Sequence, residues 1–99
     1  MNNTQKVNID VEKIKSEYEK KGFKCELCTH FPSEGWTSPE KGHKTDEIYI
    51  LLEGEMEIDL HGQTYYPSIG EVHTIPAYEP HALRITGSQP STFYWIYGY

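Results

Sequence analysis

Two hydrophobic rhythms stand side by side between Glu47 and Leu60. Glu47 to Leu52 is apolar at nearly every position after its leading glutamate, as expected of a central strand covered on both faces. Glu55 to Leu60 alternates instead, with Met56, Ile58 and Leu60 set against Glu55, Glu57 and Asp59, so one face is in the core and the other in water. His61-Gly62 follows as a hairpin turn into Gln63-Thr64-Tyr65-Tyr66. Further strands are expected over Phe23 to Phe31, Val72 to Ile75 and Ala82 to Ile85. The final run FYWIYGY is too aromatic for an exposed edge and should be paired in a sheet, covered by a neighbour or a second subunit.

Only the stretch before Gly22 has a helical period. Asp10 can cap a helix over Val11 to Lys21, with Val11, Ile14 and Tyr18 on one face and Gly22 ending it. The organisation this predicts is an N-terminal segment, residues 1–22, whose helix packs on an all-β domain, residues 23–99. Short strands separated by Gly and Pro point to a sandwich or barrel rather than to alternating helix and strand.

Length and composition narrow the function. Ninety-nine residues suit one domain that buries roughly 60 to 65% of its unfolded surface. The formal net charge of -6, with fifteen acidic residues against nine basic ones, leaves no basic footprint for nucleic acid. No apolar stretch is long enough to span a bilayer, and the polar start MNNTQKVNID has no signal-peptide core, so a cytoplasmic protein without membrane attachment is expected. Cys25 and Cys28 form CELC, but a strand places positions three apart on opposite faces, and no second Cys pair completes a zinc site.

Candidate chemistry centres on Lys41 to Gly54, which brings His43 and Glu47 just ahead of the apolar run, with His81 further on. On a straight strand His43 and Glu47 would be roughly 13 Å apart, too far to share an ion. A turn through Lys44-Thr45-Asp46 removes that obstacle, so Lys41-Gly42-His43 is read as the end of one strand and Glu47 as the start of the next.

The spacing His43-x3-Glu47-x6-Gly54, followed by Gly70-x5-Pro76-x4-His81, resembles the paired motifs of the cupins, G-x5-H-x-H-x3,4-E-x6-G and G-x5-P-x-G-x2-H-x3-N. Fifteen residues separate Gly54 from Gly70, similar to small bacterial members, and the likeness runs over about residues 35 to 85. The resemblance implies an all-β fold, a double-stranded β-helix or jelly-roll-like barrel preceded here by a short helix. It also implies a divalent metal held by His43, Glu47 and His81, and a homodimer formed through edge strands. Three family positions differ: Lys41 stands at the first His, Tyr78 at the Gly after Pro, and Ile85 at the final Asn.

Two imidazoles and a carboxylate are a sufficient donor set for Fe, Mn, Ni or Zn. Lys41 and Tyr49 are the candidate catalytic groups, Lys41 because it replaces a ligand two positions from His43, Tyr49 because it shares the face of Glu47. Each has a plainer reading, an exposed lysine beside a loop and a core aromatic. His30 and His73 are possible replacement ligands, and Trp36, Tyr78 and Trp95 candidate residues of the mouth. The expected function is a metal-binding cupin that holds a small organic ligand in the barrel, with catalysis of dioxygenase, isomerase or lyase type left open. The alternative is a metal-free small-molecule-binding module without catalysis.

Overall fold

A computed structural model describes residues 10–98, so the first nine residues of the expected N-terminal segment, and Tyr99, lie outside the described residues. Helix α1 spans Val11–Lys20, and the Asp10 side chain accepts a hydrogen bond from the Lys13 amide at 3.0 Å, satisfying one of the orphan donors of the first turn. At the other end the Gly22 amide donates to the Glu19 carbonyl and the Phe23 amide to the Tyr18 carbonyl. Gly22 adopts φ +90°, and the Tyr18 and Phe23 rings meet at 5.3 Å. This is a Schellman ending with its hydrophobic contact.

Eight strands follow: β1 Lys24–His30, β2 Gly35–Thr37, β3 Glu47–Glu53, β4 Glu55–Leu60, β5 Gln63–Tyr65, β6 Val72–Ile75, β7 His81–Thr86 and β8 Ser91–Tyr97. They form two four-stranded antiparallel sheets, ordered β1-β8-β3-β6 and β2-β7-β4-β5. Every connection except the β4–β5 hairpin passes from one sheet to the other, giving the jelly-roll architecture expected from the sequence. His61 and Gly62 both take positive φ, 57° and 74°, the signature of a two-residue type I′ hairpin between β4 and β5.

Strand β3 is buried from Glu47 through Leu51, and the two faces are covered differently. Tyr49 and Leu51 point between the sheets, into a cluster with Met56, Ile58, Leu60, Ile75, Leu83, Ile85 and Phe93. Ile48 and Ile50 point outward, where Ile14 and Tyr18 of α1, together with Phe23 and Cys25, cover them beside Ile96. The helix therefore explains the continuous apolar run: without α1, the outer face of β3 would be in water.

One expectation changes and another is met. The strand expected to end at Lys41-Gly42-His43 ends at Thr37, and residues 38–46 form an irregular loop. Pro39 closes a turn there, its carbonyl accepting from the Gly42 amide at 2.9 Å. Strand β8 is an interior strand between β1 and β3, so the C-terminal aromatics are paired in a sheet, as expected, and covered largely within the chain. Cys25 and Cys28 lie on opposite faces of β1, one under the helix and the other against the inter-sheet core, and both are free thiols.

Candidate functional site

Three segments bring His43, Glu47 and His81 to one end of the space between the sheets. Glu47 opens β3, His81 opens β7, and His43 comes from the loop that enters β3. One donor atom from each lies within 4.8 Å of the others. Nε2 of His81 is 2.7 Å from Oε1 of Glu47. The same oxygen is 3.9 Å from Nε2 of His43. Glu47 is 1% exposed and His81 6%, so the carboxylate charge has been taken out of water and requires compensation.

The surrounding backbone sets the chemistry of each donor. Nδ1 of His81 is 2.9 Å from the carbonyl oxygen of Glu79, which can only accept, so Nδ1 carries the proton. In the neutral ring Nε2 is then a lone pair aimed at a carboxylate oxygen 2.7 Å away. Only a proton or a metal cation at Nε2 makes that approach attractive, and a histidine anchored through Nδ1–H to a carbonyl is the usual arrangement of a metal ligand. Burial works against a charged His81. The hydrogen bond with Glu47, the bond to the Glu79 carbonyl and the Glu47 charge outweigh burial, and the imidazolium pKa is raised above its ordinary value. The other carboxylate oxygen, Oε2, accepts from Nε1 of Trp95 at 2.8 Å, which leaves Oε1 turned toward the two histidines.

His43 is placed by backbone contacts. Its carbonyl accepts from the Tyr78 amide at 2.7 Å, joining its loop to the one that delivers His81. Gly42 has φ +70°, and a Cβ there would sit 2.6 Å from both the Glu79 nitrogen and the Tyr78 carbonyl carbon. Only glycine allows the two loops to touch so closely. Tyr78 itself has φ 66°, so the position where cupins carry glycine keeps the left-handed backbone with a tyrosine in it. Asp46 accepts from the Ala77 amide at 2.9 Å, and Ser38 Oγ from the His81 amide at 2.9 Å. The donor set is held at both ends.

Among the other residues singled out from the sequence, Tyr49 is on the face of Glu47, as expected, but 1% exposed in the apolar cluster, with the Phe93 ring 5.9 Å away. Lys41 is not on a strand beside His43; it is exposed in the Pro39 turn. His30 is 3.2 Å from Glu34, and His73 packs on Tyr65 with ring centroids 5.3 Å apart. Neither joins the ligand group. Tyr78 is 66% exposed.

Beyond Trp95 a cleft of about 430 Å³ opens between the edge strands β1 and β2, within the size range of small-ligand sites. Trp36, Phe93 and Trp95 supply its aromatic walls. Trp95 thus faces the cleft while its indole nitrogen holds Glu47. Sequence reading named Trp95 only as a mouth residue and missed its bond to Glu47, together with the roles of Gly42 and the Glu79 carbonyl; the CELC segment also gave no hint that Cys28 lines the cleft.

No helix among the described residues is long and apolar enough to cross a membrane. Compared with known proteins, residues 28–97 match the family described as the cupin domain. Over 76 residues the chain is 30% identical to a 5-nitrosalicylic acid 1,2-dioxygenase from Bradyrhizobium sp., covering 77% of this chain but only 36% of that protein. Among solved structures, the cupin domain of an XRE family transcriptional regulator from Enterobacter cloacae has a TM-score of 0.71 at 21% identity, over 82% of this chain and 85% of that one. A predicted oxalate decarboxylase from Thermotoga maritima has a TM-score of 0.68 at 20% identity, over 82% of this chain and 70% of that one. The paired jelly-roll sheets, the His-Glu-His group at one end of their interior and a family match over most of the sequence lead to one conclusion: the chain belongs to the cupin family.

Proposed function

We propose that this cupin holds a divalent metal ion on His43, Glu47 and His81 and brings a small organic ligand to it. The observation that carries this reading is the His81 ring, anchored through Nδ1 to the Glu79 carbonyl with Nε2 2.7 Å from a buried carboxylate. Two imidazoles and one carboxylate leave coordination positions open and suit a non-haem iron site, as well as Mn, Ni or Zn. When bound, the ion would act as a Lewis acid or oxygen activator. The protein's own part is to orient Glu47 through Trp95, fix the His81 tautomer and exclude water around both.

The 30% identity to a dioxygenase makes dioxygenase chemistry the first class to assay. Tyr49, on the face of Glu47, remains the proposed group for handling a proton, and Lys41, in its exposed turn, is retained only as a candidate that the same test decides. Tyr49→Phe and Lys41→Ala separate them, because loss of turnover with ion content intact assigns the role to the residue changed.

The test is metal content per chain after purification without affinity tag or chelator. About one ion per chain is expected, falling to background in Glu47→Gln and in the His43→Ala, His81→Ala double variant. Full metal content in the double variant would overturn the assignment. A second reading, a metal-free binding module, draws on the same 2.7 Å contact as a protonated His81–Glu47 ion pair. It predicts no metal uptake even when ions are supplied.

A further inference from the structure

The cleft beyond Trp95 has a chemical character of its own. Glu26, Cys28 and His30 line it from β1, Trp36 from β2, and Phe93 and Trp95 from β8, with Glu34 and Gly35 completing the rim. The Trp36 and Phe93 rings lie 6.0 Å apart and 20° from parallel, with His30 4.9 Å from Trp36. Trp95 stacks at 4.0 Å on Tyr97. Around these rings stand two carboxylates, and no lysine or arginine is among the described lining residues. Among the described lining residues the one basic side chain is His30, which faces Glu34 at 3.2 Å. Glu34 also accepts from the Phe31 amide, which holds its carboxyl below the ordinary range. Glu26 accepts from the Tyr97 hydroxyl, a bond that pushes that phenol up to about 12. The phenol therefore stays protonated near neutrality and keeps donating to Glu26. The nearest ammonium of β1, Lys24, lies 5.8 Å from the Tyr97 ring centroid and does not line the cleft.

Aromatic faces carry negative potential and attract cations, most strongly where carboxylates add to the field. An anionic ligand would meet two carboxylates and, among the described lining residues, a single imidazole already turned to one of them. We infer that the cleft between β1 and β2 binds an organic cation, a small alkylated ammonium seated against Trp36, Phe93 and Trp95 and balanced by Glu26 and Glu34. The inference names the ligand class of the proposed function and rests on that reading only for the ligand's nearness to a metal; binding in the cleft does not require the ion. It also separates this chain's ligand from a salicylate-type anion.

Both tryptophans of the protein, Trp36 and Trp95, line the cleft, so their fluorescence reports its occupancy. The full chain, as purified and again after chelation, is titrated with choline, with dimethylbutanol as its uncharged carbon isostere, and with salicylate. Choline is expected to change the emission saturably in both preparations and to bind about tenfold more tightly than the isostere, while salicylate has no effect. Glu26→Gln, on an exposed edge position, should weaken choline binding several-fold, and Trp36→Leu should do so with the Trp95 signal retained. Equal affinity for choline and its isostere, preference for salicylate, an unchanged choline Kd in Glu26→Gln, or no response to any probe would overturn the inference. Choline binding in a protein that takes up no metal supports the inference and overturns the proposed metal centre. Metal uptake without choline binding does the reverse.

Discussion

Trp95 and Glu47 are joined across neighbouring strands by a 2.8 Å hydrogen bond from the indole nitrogen to Oε2. They are diagonal neighbours: in the β3–β8 register Glu47 faces Tyr97, and Trp95 faces Tyr49. The indole is long enough to bridge this diagonal, which a smaller side chain would leave open. One residue thus walls the aromatic cleft and orients the carboxylate of the His-Glu-His group.

Removing that donor while keeping an aromatic wall isolates its effect. Trp95→Phe is expected to weaken metal binding about 10- to 100-fold, the usual consequence of losing an outer hydrogen bond to a ligand. It should also cost about 1–3 kcal/mol of stability, because a buried carboxylate oxygen loses a partner. Metal titration followed by thermal melting reads both, and an unchanged metal Kd would show that Glu47 is oriented without Trp95.

Gly42 and Gly22 both have positive φ but differ in surroundings. A Cβ at Gly42 meets backbone atoms of Tyr78 and Glu79 at 2.6 Å, whereas one at Gly22 meets nothing within 4 Å. Gly22→Ala should cost about 1 kcal/mol from backbone strain alone. Gly42→Ala should cost about 2–3 kcal/mol and lower metal content as well, since it pushes apart the loops carrying His43 and His81. Denaturant melts of the two variants compare them, and equal costs would show that the loops separate freely.

The raised His81 pKa has opposite effects with and without metal. In the metal-free protein the folded state holds the proton more tightly than the unfolded chain does. The stabilisation is fully present below about pH 6.5, the unfolded value, and disappears as pH rises through the higher folded value. Metal must displace that proton, so metal-induced stabilisation should grow over the same interval. Melting temperatures between pH 5.5 and 8.5, for wild type and His81→Gln with and without metal, give the check; parallel pH curves for the two metal-free proteins would argue against an ion pair at His81.

Cys25 and Cys28 should not form a disulfide within the chain. Three residues along a strand separate their Cα atoms by about 10 Å, beyond the roughly 7 Å that a disulfide spans. Burial also raises both thiol pKa values, which slows their reaction. Mass spectrometry after mild oxidation should find both thiols reduced or linked between molecules, and an internal bridge would mean that β1 opens.

The sequence by itself determined the local features, because each depends on residues close together in the chain. Asp10 and Gly22 bound the helix, His61-Gly62 marks the hairpin, alternation in Glu55 to Leu60 assigns its faces, and the unbroken run after Glu47 identifies the covered strand. Through its resemblance to the cupin motifs, the spacing of His43, Glu47 and His81 also marked a candidate donor set before any of the three could be placed in space. The tertiary structure decided what depends on distant segments. Register between β3 and β8 brought Trp95 to Glu47, although 48 positions separate them. Contact between two loops required glycine at position 42 and turned Lys41 into a solvent-exposed turn instead of onto a strand. The aromatic cleft exists because β1 and β2 end their sheets on the same side, and edge position follows from strand order, which no local pattern of hydrophobic residues encodes.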